Sequence, residues 1–562
     1  MSEAVSTHSP PASDVHAGRL FRGSCVALIS GAAMFAISGD IIGALKQTFV
    51  LTNEQVGFIM SGASWGFMVS IVVLGPLCDW LRMRNVLRLA LVSHLVGVAL
   101  MVFATGFWTL FIGMLVNAIG SGAIEAACNP LIATVYPDRK TEKLSQFHIW
   151  FPGGIVLGGL ACYALRRLGL DYWQLKVALV VPVTLAYGVM FAGQTFPATE
   201  RVQSGVSFGG MVRETLFRPL FLVLLFCMML TASLELGPQR WIPSVLQAGG
   251  VPGILVLVWI TGLMAVLRQF GGVVSRAFSN SGVLLLSAIL SGIGLAALSF
   301  ASGIVAVGIA APIFAVGVCY LWPPMLGTVA ERVPKGGAFA LSLLGGLGGM
   351  FVGVVTVPLM GAVADGYLHR ELVREVSVDG KTLDRSRDTV AALQAVADAY
   401  AAWSQSLGTD ATDQVTRAEI GAALETVRDV LARAAEGGLP EEATANALRI
   451  AIKNGPARDV AHATSDAERS AAAAKAAAAA VLNPAENRGG LMAFRYVAPV
   501  SVLLAVVFGI MLAQDRRRAK AGQGTPDAPA APDLTPGATG GLPASASGEP
   551  PPPGPQPERP RR

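Results

Sequence analysis

The chain has 562 residues, of which 53% are hydrophobic and only 14% charged, and its mean hydropathy is +0.56. Soluble domains carry about 25% charged residues, so a string of ordinary globular domains is excluded, and a net charge of +5 leaves no footprint for nucleic acid. The six cysteines (Cys25, Cys78, Cys128, Cys162, Cys227 and Cys319) all lie in apolar segments without CxxC spacing, which argues against a metal site or a disulfide framework.

The first nineteen residues are polar and lack the short apolar core of a cleaved signal peptide. Apolar spans follow at about 24–45, 55–78, 86–106, 109–136, 146–165, 177–196, 217–237, 252–275, 282–301, 303–326, 337–364 and 492–513. Each fits the roughly 20 residues that cross a bilayer core as a helix. The expected fold is an all-α membrane protein with twelve transmembrane helices. A longer link, 197–216, separates residues 1–196 from a second group at 217–364 that is completed by helix 491–513. Lys and Arg are uneven: eighteen fall on one side of the spans, and five (Lys46, Arg166, Arg167, Lys176, Arg240) on the other. The positive-inside bias therefore predicts a cell (inner) membrane protein with both termini cytoplasmic and residues 365–490 outside.

An offset of 197 residues lays the second group on the first: Gly75 on Gly272, Ala118 on Ala315, Gly120 on Gly317 and Pro137 on Pro334. Such a repeat predicts two pseudo-symmetric six-helix bundles. Residues 365–490 are Ala-rich and read as a helical extramembrane insertion, with helices over Asp388–Leu407, Asp413–Ala435 and Glu441–Lys453. The alanine run Ser470–Val481 reads as helical but poorly anchored. The insertion is either an inert cap or a docking surface for an outside partner. The Pro-rich tail, 514–562, is expected to be disordered.

Ionisable groups inside spans cost about 2.5–3.5 kcal/mol each on insertion scales, so each is a functional candidate. Glu125 shares a helix face with Ser121, Gly122, Cys128 and Asn129, small or polar groups suited to a cavity wall. Its carboxyl either links protonation to conformation or bonds a neighbouring helix. Asp40, after Ser38 and Gly39, either faces a cavity or closes a helix end. Glu235, Gln239 and Trp241 lie where Gly237, Pro238 and Pro243 are expected to break the seventh span and expose backbone groups. Arg268 needs a partner: it either neutralises an acceptor on the seventh or tenth span, as a structural charge, or binds an anionic substrate. Trp322, which the repeat places opposite Glu125, either stacks on a ligand or fills core, and Gln146 opens the fifth span beside His148.

Gly75–Leu87, GPLCDWLRMRNVL, resembles GxLaDrxGrkxxl, the loop signature between the second and third helices of the major facilitator superfamily. Gly75, Leu77, Asp79, Arg84 and Leu87 match; Trp80, Arg82 and Met83 depart from it. The resemblance implies a gating role for Asp79 with the basic residues Arg82 and Arg84. Asp40 ahead of Leu51-Thr52-Asn53, and Gly122-x-x-Glu125-x-x-x-Asn129-Pro130, are similar to the fucose:proton symporter group. This second resemblance implies proton coupling through Glu125, with Asp40 contributing to solute recognition; as an acid within a span, Asp40 is also a candidate for the proton route. It also implies a small polar solute, a sugar, moved by alternating access. Asn129, Gln146, Glu235, Gln239, Trp241 and Trp322 complete the expected solute-binding set.

No HExxH, GxSxG or kinase pattern is present, and the glycines at 345–353 suit close helix packing rather than phosphate binding. The expected protein is not an enzyme, binds no cofactor or metal, and meets solute, protons and membrane lipid. Two rival readings stay open: an exporter of drugs or organic cations on the same fold, and a non-transporting receptor or scaffold acting through residues 365–490.

Overall fold

The computed structural model describes residues 15–136, 146–197, 215–333, 337–378 and 381–521, with Lys143 and Val212 besides. The first half comprises α1 (Ala17–Asp40), a short α2 (Ile42–Phe49), α3 (Asn53–Leu81), α4 (Met83–Val102), α5 (Phe107–Val135), α6 (Trp150–Arg167), and the paired α7 (Trp173–Ala178) and α8 (Val180–Phe191). The second half begins with α9 (Pro219–Ala248), α10 (Gly253–Arg268), α11 (Gly271–Phe300), α12 (Gly303–Cys319) and α13 (Trp322–Arg332). It continues through α14 (Gly337–Phe351) and a π-turn into α15 (Val357–Leu372). The insertion then adds a hairpin, β1 (Glu375–Val378) with β2 (Lys381–Asp384), and α16 (Arg385–Ser406), α17 (Ala411–Gly437) and α18 (Glu441–Asn454). The chain returns through α19 (Asp466–Val497) and α20 (Val500–Lys520). Among the described residues, eleven helical stretches are long and apolar enough to cross a membrane, and α10 is a shorter apolar twelfth.

The 197-residue repeat is visible in the packing. Gly97 lies so close to α5 that an added Cβ would meet the Asn117 nitrogen at 2.4 Å; Gly294 meets the Phe314 nitrogen at 2.3 Å. Gly120 backs onto His94, and Gly317 onto Ser291. Every one of these four pairs keeps the same offset. Small residues at fixed positions let the backbones of each half approach in the same way, as membrane helix packing requires.

The turns that follow α3 and interrupt α11 repeat as well. Arg82 has φ 65°, ψ 132°, and Ser279, 197 residues later, has φ 59°, ψ 161°. This region of backbone space is close to glycine-only and costs about 1–3 kcal/mol for other residues. Arg82 stands where the loop signature has its second glycine. Ser279→Gly is therefore expected to raise thermal stability by about 1 kcal/mol, a gain reduced by loss of the 3.3 Å bond from the Gly282 N–H to the serine hydroxyl. Thermal unfolding of the purified protein checks this; a lowered midpoint would show that the hydroxyl outweighs the strain.

Three expectations need correction. The seventh span is not broken: α9 runs unbroken through Pro238 and Pro243, and its residues Gly237–Pro243 are all buried. Protein packs tightly around the prolines, with Gly39 against the Arg240 carbonyl and Gly253 against the Pro243 carbonyl. The alanine run is not poorly anchored, because it belongs to α19. Ala471, Ala474 and Ala478 join Leu393, Val396, Tyr400 and Leu448 in the insertion core. Nor is the insertion purely helical, since it opens on the β1–β2 hairpin. Its core is continuous with Leu368 and Leu372 of α15, so it is fixed to the second half.

The halves meet where α3 packs on α14 and α15, α6 on α10, and α1 on α9. Gly57 lies against the Val357 carbonyl, Gly361 against the Asn53 carbonyl, and Gly39 against Arg240. These contacts cluster at the end of the bundle that carries the insertion.

Candidate functional site

One turn of α5 sets Asn129 beside Glu125, and the Asn129 amide donates to Glu125 Oε2 at 2.8 Å. His148 Nε2 lies 3.1 Å from Asn129 Oδ1, and His148 Nδ1 lies 4.0 Å from Glu125 Oε1. The carboxyl side chain is 12% exposed and the imidazole 48%. A nearly buried acid is thus linked to a half-exposed base, a pairing able to pass a proton between a sheltered site and water. Gln146, just ahead of His148, accepts from Lys143 Nζ at 2.9 Å.

The second half contributes a different cluster. Arg268 Nη2 lies 3.3 Å from Glu235 Oε1, and Arg268 Nε donates to the Cys319 carbonyl at 3.3 Å. Glu235 Oε2 and Trp241 Nε1 are buried without a partner among the described residues. Gln239 is buried and its amide meets Met264 Sδ at 3.6 Å. Trp322 begins α13, half-buried, with its ring edge 3.5 Å from the Cβ position of Gly345.

Asp40 is not brought to this region. Gly31 of α1 packs on Ser121 of α5; Asp40 lies nine residues beyond Gly31, and Glu125 four residues beyond Ser121 in the opposite direction, a separation of about 20 Å along the bundle. Asp40 Oδ1 receives Arg166 Nη2 at 2.9 Å and Oδ2 receives Lys176 Nζ at 2.6 Å. The Asp40 and Lys176 side chains are 3% and 4% exposed. Asp171 joins the same two cations. Burial would raise the Asp171 carboxyl, but Lys176 and Arg166 pull it below the usual carboxylate range. Both oxygens of Asp40 are therefore taken by cations of its own half, an ion pair joining α1, α6 and α7 that competes with the solute and proton roles expected of this residue.

Sequence reasoning also missed several groups. His94 is fully buried, with Nδ1 3.2 Å from Ser30 Oγ and 3.1 Å from Tyr187 OH, and Nε2 3.1 Å from Ser121 Oγ. Arg240 is buried against the Phe35 ring, 4.0 Å from its centroid, and donates to Ser38 Oγ across the two halves. In sequence, apolar neighbours hide His94, while Arg240, counted above among the cations of the opposite loops, is instead buried within α9. Arg82 and Arg84 are exposed; the Asp79 side chain lies outside the described residues.

Residues 23–365 match the family profile of the Major Facilitator Superfamily, which covers more than half of the chain. The chain belongs to that superfamily. It is thereby an integral, multi-pass membrane protein in a family of transporters. The glucose transporter GlcP of Staphylococcus epidermidis is 24% identical over 175 residues, 31% of this chain and 37% of that protein. The L-fucose-proton symporter of Escherichia coli is 31% identical over 96 residues, 16% of this chain and 22% of that one. The chain thus spans 22% to 37% of the length of these curated relatives. A solved structure of a mutant of the nucleoside transporter NupG superposes with a TM-score of 0.53 at 13% identity, covering 63% of this chain and 92% of that one. At that identity the likeness bears on the fold alone.

Proposed function

We propose that this facilitator is a secondary active transporter that moves a small polar solute, a sugar, with protons by alternating access. The Glu125–Asn129–His148 chain carries the reading: a sheltered carboxyl on the expected cavity wall is hydrogen-bonded through an amide to an imidazole that reaches water. The glucose and fucose relatives support a sugar as the solute. The solute would lie between Glu125 and Asn129 of one half and Glu235 and Trp322 of the other, with Gln239 toward the outer end, next to the Arg240 that packs on Ser38 and Gly39. Trp241 and Gln146 are supporting positions, and Arg268 keeps the Glu235 charge compensated. Asp79, with Arg82 and Arg84, would form the gate at the arginine-rich end, on the strength of the loop signature.

Purified protein in proteoliposomes should accumulate labelled monosaccharide when the pH outside is lower than inside, and a protonophore should collapse the accumulation. Equal uptake with and without the gradient would remove proton coupling; no uptake across a monosaccharide panel would remove sugar.

The same reading puts the arginine-rich end and both termini in the cytoplasm, with the insertion outside the cell membrane. A cysteine at Ala461, an exposed position of the insertion, should react with an impermeant maleimide on intact cells. The six native cysteines are buried. Labelling only after lysis would invert the topology.

A further inference from the structure

We infer that the insertion is a working part of the outer gate, and that Arg449 is the positioning residue through which it holds that gate shut. The inference rests on the transporter reading above. The gate is an ionic cluster drawn from three parts of the chain. The first half presents Lys46 on α2 and Asn53 at the start of α3. The two helices that join the second half to the insertion present Asp365, on α15, and Glu486, on α19. The insertion presents Arg449 on α18.

Across the halves, Lys46 Nζ donates to Glu486 Oε2 at 2.5 Å, and Asn53 Nδ2 donates to Asp365 Oδ1 at 2.8 Å. The Glu54 backbone N–H donates to Asp365 Oδ2 at 2.9 Å, and Lys46 also reaches Asn53 Oδ1 at 3.1 Å. Arg449 Nη2 bonds both acids, at 3.2 Å to Glu486 Oε1 and 3.5 Å to Asp365 Oδ1. Two cations face two carboxylates, and the set is balanced. It is also dry: the Arg449 side chain is 1% exposed, Lys46 7%, Asp365 11% and Glu486 13%.

Arg449 sits between Leu448 and Ile452 on the buried face of α18, a place where an unpaired charge would be costly. Both carboxylates that compensate it lie on α15 and α19, the elements that continue into the membrane. The insertion is thus built around the gate rather than resting on it. One guanidinium nitrogen draws the two acids together and turns the second oxygen of Glu486 toward Lys46. Without Arg449, closing the halves would bury two carboxylates against one ammonium. Opening hydrates the cluster and removes that penalty. Loss of either cation should therefore favour the open arrangement.

The test is a distance measurement on the full chain, independent of transport. Spin labels on cysteines at Thr105 and Ser302 report the separation of the two halves at the insertion end. Both positions are exposed, they are related by the repeat offset, and the native cysteines are buried. Wild type should give a short distance. Arg449→Gln should add a longer one, raising the open-to-closed ratio at least about tenfold, and Lys46→Gln, which leaves the insertion core untouched, should do the same. Combining Arg449→Gln with Asp365→Asn restores charge balance and should recover the short distance, which a purely structural role for Arg449 would not produce. Unchanged distances in both single variants, or no recovery in the double variant, would overturn the inference. A protein that moves no sugar yet shows these shifts would overturn the transport reading and leave the latch standing.

Discussion

Replacing Glu125 with glutamine is expected to abolish proton-driven accumulation while preserving solute binding and exchange. Glutamine keeps a carbonyl oxygen that can accept from Asn129, as Glu125 Oε2 does at 2.8 Å. It cannot take or release a proton, so it stands for the protonated form in every state of the cycle. Each pH unit of gradient is worth about 1.4 kcal/mol per proton, a tenfold concentration ratio for a one-proton symporter. The variant should lose that tenfold factor per unit and equilibrate its solute without concentrating it. Counterflow exchange, which needs both access states but no net proton movement, should continue. The measurement pairs gradient-driven uptake with counterflow in the same proteoliposomes. Uphill uptake at the wild-type rate and with the usual pH dependence would take Glu125 out of the coupling mechanism. The proton site would then be sought at Glu235, whose second oxygen is buried without a partner among the described residues.

What could be read from the sequence follows from how local each feature is. A span is written in twenty consecutive residues, so the apolar runs located the helices, and Gly120 with Gly317, 197 apart, marked a packing site that recurs in both halves, whereas Gly75 of the other glycine pair packs on nothing. Glu125 and Asn129 were legible as a pair because helical periodicity places residues four apart on one face. Features that depend on distant partners were not. Lys46 and Glu486 are 440 residues apart, and Asn53 and Asp365 are 312 apart, yet both pairs are hydrogen-bonded. Nothing in the neighbourhood of Arg449 announces that its partners lie on α15 and α19. The prolines of α9 misled for a related reason. Their local cost is real, but tertiary packing covers the freed backbone groups, a circumstance no local pattern records. The resemblance of Asp40 to a symporter acid is carried by the chain around it, whereas its partners in the fold, Arg166 and Lys176, are more than a hundred residues away.

That pairing gives the last expectation a sign opposite to the one the resemblance implies. Asp40→Asn should destabilise the protein by about 3 kcal/mol and leave solute affinity nearly unchanged below the unfolding temperature. The side chain is 3% exposed and neutralises Lys176, itself 4% exposed, as well as Arg166. Removing its charge leaves two cations facing Asp171 alone, and burying the uncompensated ammonium supplies the penalty. Asp171 is held below the usual carboxylate range, so its contribution is present above its unfolded value of about 3.9 and is lost as the pH falls through the lower folded value. The comparison therefore belongs at neutral pH, well above the range in which Asp171 takes up a proton. Adding Lys176→Met to Asp40→Asn removes the stranded cation and should recover much of the lost stability, which a solute-binding role for Asp40 would not predict. Thermal unfolding and equilibrium binding of the same monosaccharide, measured on both variants, decide between the two accounts. An unfolding midpoint equal to wild type together with lost binding would return Asp40 to the solute site.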